Sequence, residues 1–80
     1  MHILILEDDL VLAAELKKFL ELEDYRVSAV HDGVSFLEEI QQSNFDFYLL
    51  DINVPKINGL DVCKIIREKD TETPIIIISA

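Results

Sequence analysis

The sequence predicts an α/β protein built around a parallel sheet, because short apolar runs alternate with segments of helical spacing along the whole chain. The apolar runs are rich in Ile, Leu, Val and Phe, as expected for strands that are covered on both faces. The resulting order βαβαβαβ implies parallel strands joined by right-handed crossovers. With 80 residues, the chain is expected to form at most one small domain.

The first strand and the first helix are predicted from a change in hydrophobic period. Residues 2–6 form a continuous Ile- and Leu-rich run, which indicates a buried strand. Residues 10–22 show helical spacing, and Asp8 or Asp9 supplies the N-cap oxygen. Four apolar residues are expected on the inward stripe of this helix: Leu12, Leu16, Phe19 and Leu20.

A second strand and helix follow with the same alternation. Arg26–Val30 is predicted to be a strand that ends at an Asp-Gly turn signal. Residues 34–42 are predicted to form a helix, with Ser35 and Glu38 in the register of a capping box. The inward positions of this helix are Leu37 and Ile40.

The remaining elements are a strand over Phe45–Leu50, a helix that begins at Asn58 and a strand over Ile75–Ile78. Asp61 lies three positions after Asn58, again in capping-box register. The apolar stripe of the third helix is expected to comprise Leu60, Val62, Ile65 and Ile66. The phenylalanines predicted to lie in the core are Phe19, Phe36, Phe45 and Phe47.

Composition and charge exclude several classes of protein. Acidic residues outnumber basic ones 16 to 7, giving a net charge of −9, which argues against contacts with nucleic acid or with an anionic membrane within these residues. No apolar run approaches the roughly 20 residues that a membrane span needs, and the N-terminus lacks the features of a signal peptide. Cys63 is the single cysteine, so the 80 residues cannot form an internal disulfide. A reducing cytosol is therefore the expected compartment.

Acidic side chains follow two of the predicted strands. Glu7, Asp8 and Asp9 come directly after the first strand, and Asp51 comes directly after the third. Parallel α/β sheets bind ligands just beyond the carboxyl ends of their strands, where the strand order reverses. If these two strands are neighbours, Glu7, Asp8 and Asp51 converge on one acidic pocket, which suits a divalent cation or a basic partner.

In this order and spacing, the chain resembles a response-regulator receiver domain of two-component signalling. The resemblance spans the whole sequence and is carried by Glu7-Asp8, Asp51, Asn53, Pro55, Gly59 and Ser79-Ala80. It implies a flavodoxin-like, doubly wound fold with strand order 2-1-3-4-5. It also implies Mg²⁺-dependent transfer of a phosphoryl group from a histidine kinase or a phosphotransfer protein to one aspartate.

The resemblance also assigns roles to individual residues. Asp51 matches the phosphoacceptor, and Glu7 and Asp8 match the acidic pair that holds Mg²⁺. Asn53 matches the residue whose backbone carbonyl completes the metal site. Ser79 matches the residue whose hydroxyl bonds the phosphoryl group, and Ala80 matches the residue whose backbone N–H helps to hold that group.

Part of the family pattern has no counterpart in the 80 residues. The resemblance implies a lysine after a fifth strand, an aromatic switch residue and two last helices, and none of these is present. We therefore expect residues 1–80 to be the N-terminal part of a single receiver domain, with strand order 2-1-3-4. An output domain would lie outside these residues, and so would the DNA contacts if the whole protein is a transcription factor.

Two alternative functions belong to other classes. A haloacid-dehalogenase-like phosphatase also phosphorylates an aspartate after a strand, but it needs a second acid two residues on, where this chain has Asn53. The other alternative is an interaction module that is not phosphorylated and that binds a partner or a second copy. Its contact would be the open sheet edge at Ile75–Ile78, because an exposed β-branched strand invites strand addition.

Overall fold

The computed structural model describes residues 1–78, so Ser79 and Ala80, with their predicted roles, lie outside the described residues. Four parallel strands have the order β2-β1-β3-β4. The elements are β1 His2–Leu6, α1 Leu10–Leu22, β2 Arg26–Val30, α2 Gly33–Gln42, β3 Phe47–Asp51, α3 Gly59–Arg67 and β4 Ile75–Ile78. The predicted order 2-1-3-4 and the incomplete flavodoxin-like architecture are confirmed.

The core has two layers, one on each face of the sheet, because successive strand residues point to opposite sides. In β1, Leu4 and Leu6 pack with α2 and α3, whereas Ile3 and Ile5 pack toward α1. All four side chains are at most 2 % exposed. Burying side chains of this size stabilises the fold by about 1.5–3 kcal/mol each, so β1 is the centre of the protein.

Aspartate or asparagine caps each helix, as its chemistry favours. Asp9 caps α1, because its carboxylate accepts hydrogen bonds from the backbone N–H groups of Val11 and Leu12 at 3.0 and 3.1 Å. Asn58 caps α3 as predicted, and its side chain bonds Asp61.

The predicted capping box of α2 is wrong. The helix begins one residue earlier than predicted, at Gly33, and its N-cap is Asp32. Ser35 is the third helical residue, and its backbone N–H and hydroxyl both donate to the Asp32 carboxylate at 2.8 and 3.0 Å. The Asp-Gly pair therefore starts the helix and also makes the turn, which leaves Glu38 without a capping role.

The third strand is displaced by two residues at its start from the predicted span. Pairing with β1 begins at Phe47, opposite Ile3, and β3 continues through Asp51. Phe45 is buried as predicted, but it packs into the core from the segment before the strand. The backbone N–H of Asp46 bonds the carbonyl of His2 at 2.8 Å, which fixes this entry.

The inward stripes of α1 and α3 are narrower than predicted. In α1 the contact with the sheet runs through Ala13, Leu16 and Leu20. The small Ala13 is the most deeply buried of these residues. Because the helix meets the sheet along this line, Leu12 and Phe19 face outward and are 40 % and 65 % exposed, so the prediction that they face inward was wrong. In α3 the buried side chains are those of Val62 and Ile66, whereas two predicted stripe positions are exposed: Leu60 and Ile65.

The last strand, β4, has one partner among residues 1–78, namely β3. Its middle residues Ile76 and Ile77 are 47 % and 39 % exposed, although the sequence is of the kind found in strands covered on both faces. None of the helices in residues 1–78 has the length and apolar character needed to cross a membrane.

Asp70, in the loop between α3 and β4, is predicted to give the fold a dependence on acid pH. Its carboxylate accepts the Thr73 hydroxyl and the backbone N–H groups of Thr73 and Glu72, and these bonds lower the pKa of Asp70 from 3.8 to about 2. A lowered pKa in the folded state means that the contribution to stability is complete above pH 4 and is lost as the pH falls toward 2. In urea unfolding between pH 2 and 5, Asp70→Asn should flatten the decline in unfolding free energy. Exposed Glu38, whose side chain makes no hydrogen bond or ion pair with residues 1–78, provides the control Glu38→Gln. Equal slopes in all three proteins would contradict the prediction.

Candidate functional site

Three carboxylates meet at the carboxyl edge of the sheet. β1 and β3 pair in register up to Leu6 opposite Leu50, so Glu7 and Asp51 come one residue after the last pair. The Glu7 backbone N–H bonds the carbonyl of Val30 at 3.1 Å, which ties the start of the following turn to β2. Each of Glu7, Asp8 and Asp51 offers one oxygen, and these oxygens lie within 4.8 Å of one another.

The cluster is buried on one side and open on the other. Glu7 and Asp51 are 4 % and 8 % exposed, whereas Asp8 is exposed. Burial raises the pKa of the Glu7 carboxyl above its ordinary 4.5, and the neighbouring negative charge of Asp51 raises it further. The Asp9 backbone N–H donates to Glu7 Oε2 at 3.2 Å and opposes this shift.

The chemistry of these donors fits a hard divalent cation. Among residues 1–78, no lysine or arginine forms an ion pair with the three carboxylates. Two carboxylate charges about 4 Å apart repel by about 4 kcal/mol at an effective dielectric constant near 20, so the cluster is unfavourable until a positive charge joins it. Mg²⁺ prefers oxygen ligands and usually takes one or two carboxylates together with water. The residues present therefore fit a Mg²⁺ site with an open side.

Asn53 lies on the surface next to Asp51. Its side chain is exposed, and its backbone N–H donates to Asp51 Oδ1 at 3.2 Å. This bond fixes one oxygen of the Asp51 carboxylate. The loop over residues 52–58, named here the β3–α3 loop, continues from this point to Gly59, whose N–H bonds the carbonyl of Ile52 at 2.9 Å.

The sequence interpretation missed the contacts that surround this site from β2 and α2. The His31 Nδ1–H donates to the carbonyl oxygen of Glu7 at 2.9 Å, although His31 had no partner at a recognisable spacing. Asp32 and Gly33, interpreted only as a turn, contact the β3–α3 loop through Lys56 and Pro55. For Gly33 the sequence did contain a signal, because glycine is rare in this chain, which has only two.

Comparison with known proteins agrees with the fold. A family model described as the response regulator receiver domain matches residues 3–80. The chain is 46 % identical over 78 residues to the response regulator ArlR of Staphylococcus saprophyticus, which covers 98 % of the chain and 35 % of that protein. It is 37 % identical over 79 residues to the transcriptional regulatory protein YkoG of Bacillus subtilis, again over 35 % of the relative. The chain thus spans about a third of the length of these curated relatives.

Solved structures agree as well. The response regulator protein TrrA of Thermotoga maritima, solved in complex with Mg²⁺-BeF, superposes with a TM-score of 0.94 at 33 % identity, over 99 % of this chain and 69 % of that one. A Francisella response regulator receiver domain gives a TM-score of 0.94 at 30 % identity, over 99 % and 65 %.

The match to the receiver family leaves the haloacid-dehalogenase-like alternative without support, since position 53 carries an amide and not a second acid. The strand order, the acidic cluster after β1 and β3 and the family match agree with one another. The chain belongs to the response regulator receiver domain family.

Proposed function

We propose that this chain accepts a phosphoryl group on Asp51 and acts as a switch in a two-component system. The observation that carries the proposal is the convergence of Glu7, Asp8 and Asp51 within 4.8 Å at the carboxyl edge of the sheet. These three carboxylates, with the backbone carbonyl of Asn53, would hold Mg²⁺. When bound, the ion would neutralise charge on the carboxylates and on the phosphoryl oxygens.

The chain's own part in the transfer is to position the nucleophile. Asp51 ends a buried strand, and the N–H of Asn53 fixes its Oδ1. The other carboxylate oxygen attacks phosphorus, while the bond from phosphorus to the donor's histidine nitrogen breaks and the imidazole leaves as the neutral ring after taking up a proton. Phosphoryl transfer depends mainly on positioning and charge neutralisation, so no catalytic base is required in the chain.

The phosphodonor is proposed to be a histidine kinase or a phosphotransfer protein that covers the rim of the pocket. Its histidine must approach Asp51 to bonding distance, so the donor's surface must rest on the residues around the opening. On α1, next to the pocket, Leu10 and Val11 are 63 % and 69 % exposed and form an apolar patch with Ala14. The regulator TrrA has been solved in complex with the histidine kinase ThkA, and it superposes on this chain with a TM-score of 0.93.

We infer that residues 1–80 are the N-terminal part of one receiver domain within a longer cytosolic regulator. The solved relatives are longer than the chain, which covers 65–69 % of them, and the curated relatives are longer still. The hydroxyl of Ser79 and the N–H of Ala80 would hold the phosphoryl group. An output domain elsewhere in the protein would respond to it.

A second candidate function, an alternative to a receiver domain that continues past β4, is self-association through this strand, which the exposure of Ile76 and Ile77 favours. A second copy would add a strand to this edge and pair with its backbone N–H and C=O groups. Sedimentation velocity over a hundredfold range of concentration should then show a dimer, and Ile76→Lys should return the chain to a monomer. A wild-type chain that stays monomeric at every concentration would exclude this candidate.

Glu7→Gln is predicted to stabilise the protein in the absence of Mg²⁺ and to reduce its response to Mg²⁺. Because the pKa of Glu7 is raised in the folded state, its contribution to stability is lost as the pH rises through that pKa, so the ionised group is unfavourable at pH 7. Removing the charge should therefore raise the unfolding free energy at pH 7. For the wild type, Mg²⁺ at ten times its dissociation constant should add about 1.4 kcal/mol. Urea unfolding at pH 7 with and without Mg²⁺ measures both; a variant that is less stable without Mg²⁺ and equally responsive to it would contradict the prediction.

Asp51→Asn is predicted to abolish phosphorylation without unfolding the chain, because the amide retains the shape but is not a nucleophile. Intact mass after treatment with acetyl phosphate should show a Mg²⁺-dependent gain of one phosphoryl group in the wild type and none in the variant. Asp24→Asn, an exposed position two residues after α1, is the matched control and should gain the group normally. A folded wild-type chain that gains nothing, or an Asp51→Asn chain that still gains one group, would contradict the proposed role.

A further inference from the structure

The β3–α3 loop is held between the only two glycines of the chain. A Cβ atom on Gly59 would lie far inside van der Waals contact with the backbone oxygen of Asp51, and one on Gly33 would lie equally close to the backbone oxygen of Ile57. Real Cβ atoms do not approach backbone oxygens so closely, so both contacts require the absence of a side chain. Gly59 fixes the start of the loop next to Asp51. Gly33, which belongs to a different helix, fixes its far half.

The contact at Gly33 is polar as well as steric. Gly33 is the first residue of α2, where the backbone N–H has no acceptor within the helix. This N–H donates to the carbonyl of Pro55 at 3.3 Å. Beside it, the ammonium of Lys56 lies 3.6 Å from the carboxylate of the helix cap Asp32. The first turn of α2 therefore bonds the loop through its backbone and through one ion pair.

The loop has an unusual backbone conformation at this contact. Lys56 has φ 71°, in the left-handed region that residues with side chains rarely adopt. Such a conformation persists only where the surrounding structure holds it. The next residue, Ile57, packs against the core cluster that contains Phe36 of α2. The position of residues 55–57 is thus imposed by α2 and the core, and does not follow from local preference.

We propose that Asp32 and Gly33 are positioning residues for the metal and phosphoryl site, an inference that rests on the proposed function. Neither residue belongs to the three-carboxylate cluster. Pro55 lies two residues after Asn53, whose N–H holds Asp51 Oδ1 at 3.2 Å, and between them the Val54 N–H bonds the carbonyl of Ile52 at 3.1 Å. In so short a span, movement of residues 55–57 must change the backbone at Asn53. The first turn of α2 therefore sets the geometry of the metal site from outside it.

Gly33→Ala tests the steric contact, and Asp32→Asn tests the ion pair, since asparagine caps a helix about as well as aspartate does. Two quantities are measured on the 80-residue protein under conditions in which each variant is fully folded. The first is amide hydrogen exchange of Val54 and Gly59 without metal, and the second is the Mg²⁺ dissociation constant from NMR titration. Glu38→Gln is the matched control, because Glu38 is an exposed residue of α2 whose side chain makes no hydrogen bond or ion pair with residues 1–78.

In Gly33→Ala, exchange at Val54 and Gly59 should accelerate and Mg²⁺ binding should weaken about tenfold, as when other groups that orient metal ligands are altered. Asp32→Asn should weaken Mg²⁺ binding by about twofold, since the Lys56 side chain of the ion pair is 60 % exposed. Glu38→Gln should leave both readouts unchanged. Wild-type exchange and wild-type affinity in Gly33→Ala would overturn the inference.

A measurement on the wild type keeps the inference testable if Gly33→Ala does not fold. Coupling between two sites is reciprocal. If the contact between Gly33 and the loop tightens Mg²⁺ binding by a given factor, saturating Mg²⁺ should slow hydrogen exchange of the Gly33 N–H by the same factor. The N–H of Ile40, farther along α2, should not respond. Mg²⁺ binding without added protection at Gly33 would overturn the inference. A wild type that binds no Mg²⁺ would instead overturn the proposed function, and the metal-free exchange of the variants would still decide whether α2 positions the loop.

Discussion

The register between β1 and β3 is the constraint on which the site depends. Leu6 pairs with Leu50, so the next residue of each strand, Glu7 and Asp51, reaches the same edge of the sheet. A shift of one residue would turn every side chain of a strand to the other face and would place leucine where the carboxylates now meet. The core enforces the register, because Leu4, Leu6 and Leu50 are fully buried and would have to leave it. The same packing that holds the sheet together therefore assembles the acidic cluster.

This assembly works against stability in the absence of a cation. Burial and the charge of Asp51 raise the pKa of Glu7, which shows that the ionised cluster is unfavourable where it stands. Backbone hydrogen bonds offset part of this unfavourable charge, since the N–H of Asp9 donates to the Glu7 carboxylate and the N–H of Asn53 donates to the Asp51 carboxylate. These bonds orient the carboxylates without neutralising them. The site is organised but retains an excess of negative charge, which is the condition that favours uptake of a divalent cation.

Hydrophobic period and strand-end chemistry were enough to predict most of the fold from the sequence. The four strands, the three helices and their order follow from alternation, and the meeting of Glu7, Asp8 and Asp51 follows from strand order. Periodicity could not place Phe19 or Leu12 correctly, since a stripe drawn on one helix does not show which part of it meets the sheet. The start of α2 was also mispredicted, because an Asp-Gly pair suits a turn and a helix start equally well.

The contact between Gly33 and Ile57 lay beyond sequence reasoning for a different reason. Its partners are 24 positions apart and belong to elements whose relative placement depends on the whole sheet. A glycine at such a contact carries no side-chain chemistry that a motif could register. Its importance lies in the space it leaves for another backbone. Because Gly59 makes the equivalent approach to Asp51, both sides of the β3–α3 loop are defined by backbone packing. The carboxylates supply the charge of the site, and the two glycines determine how closely the loop beside it can approach.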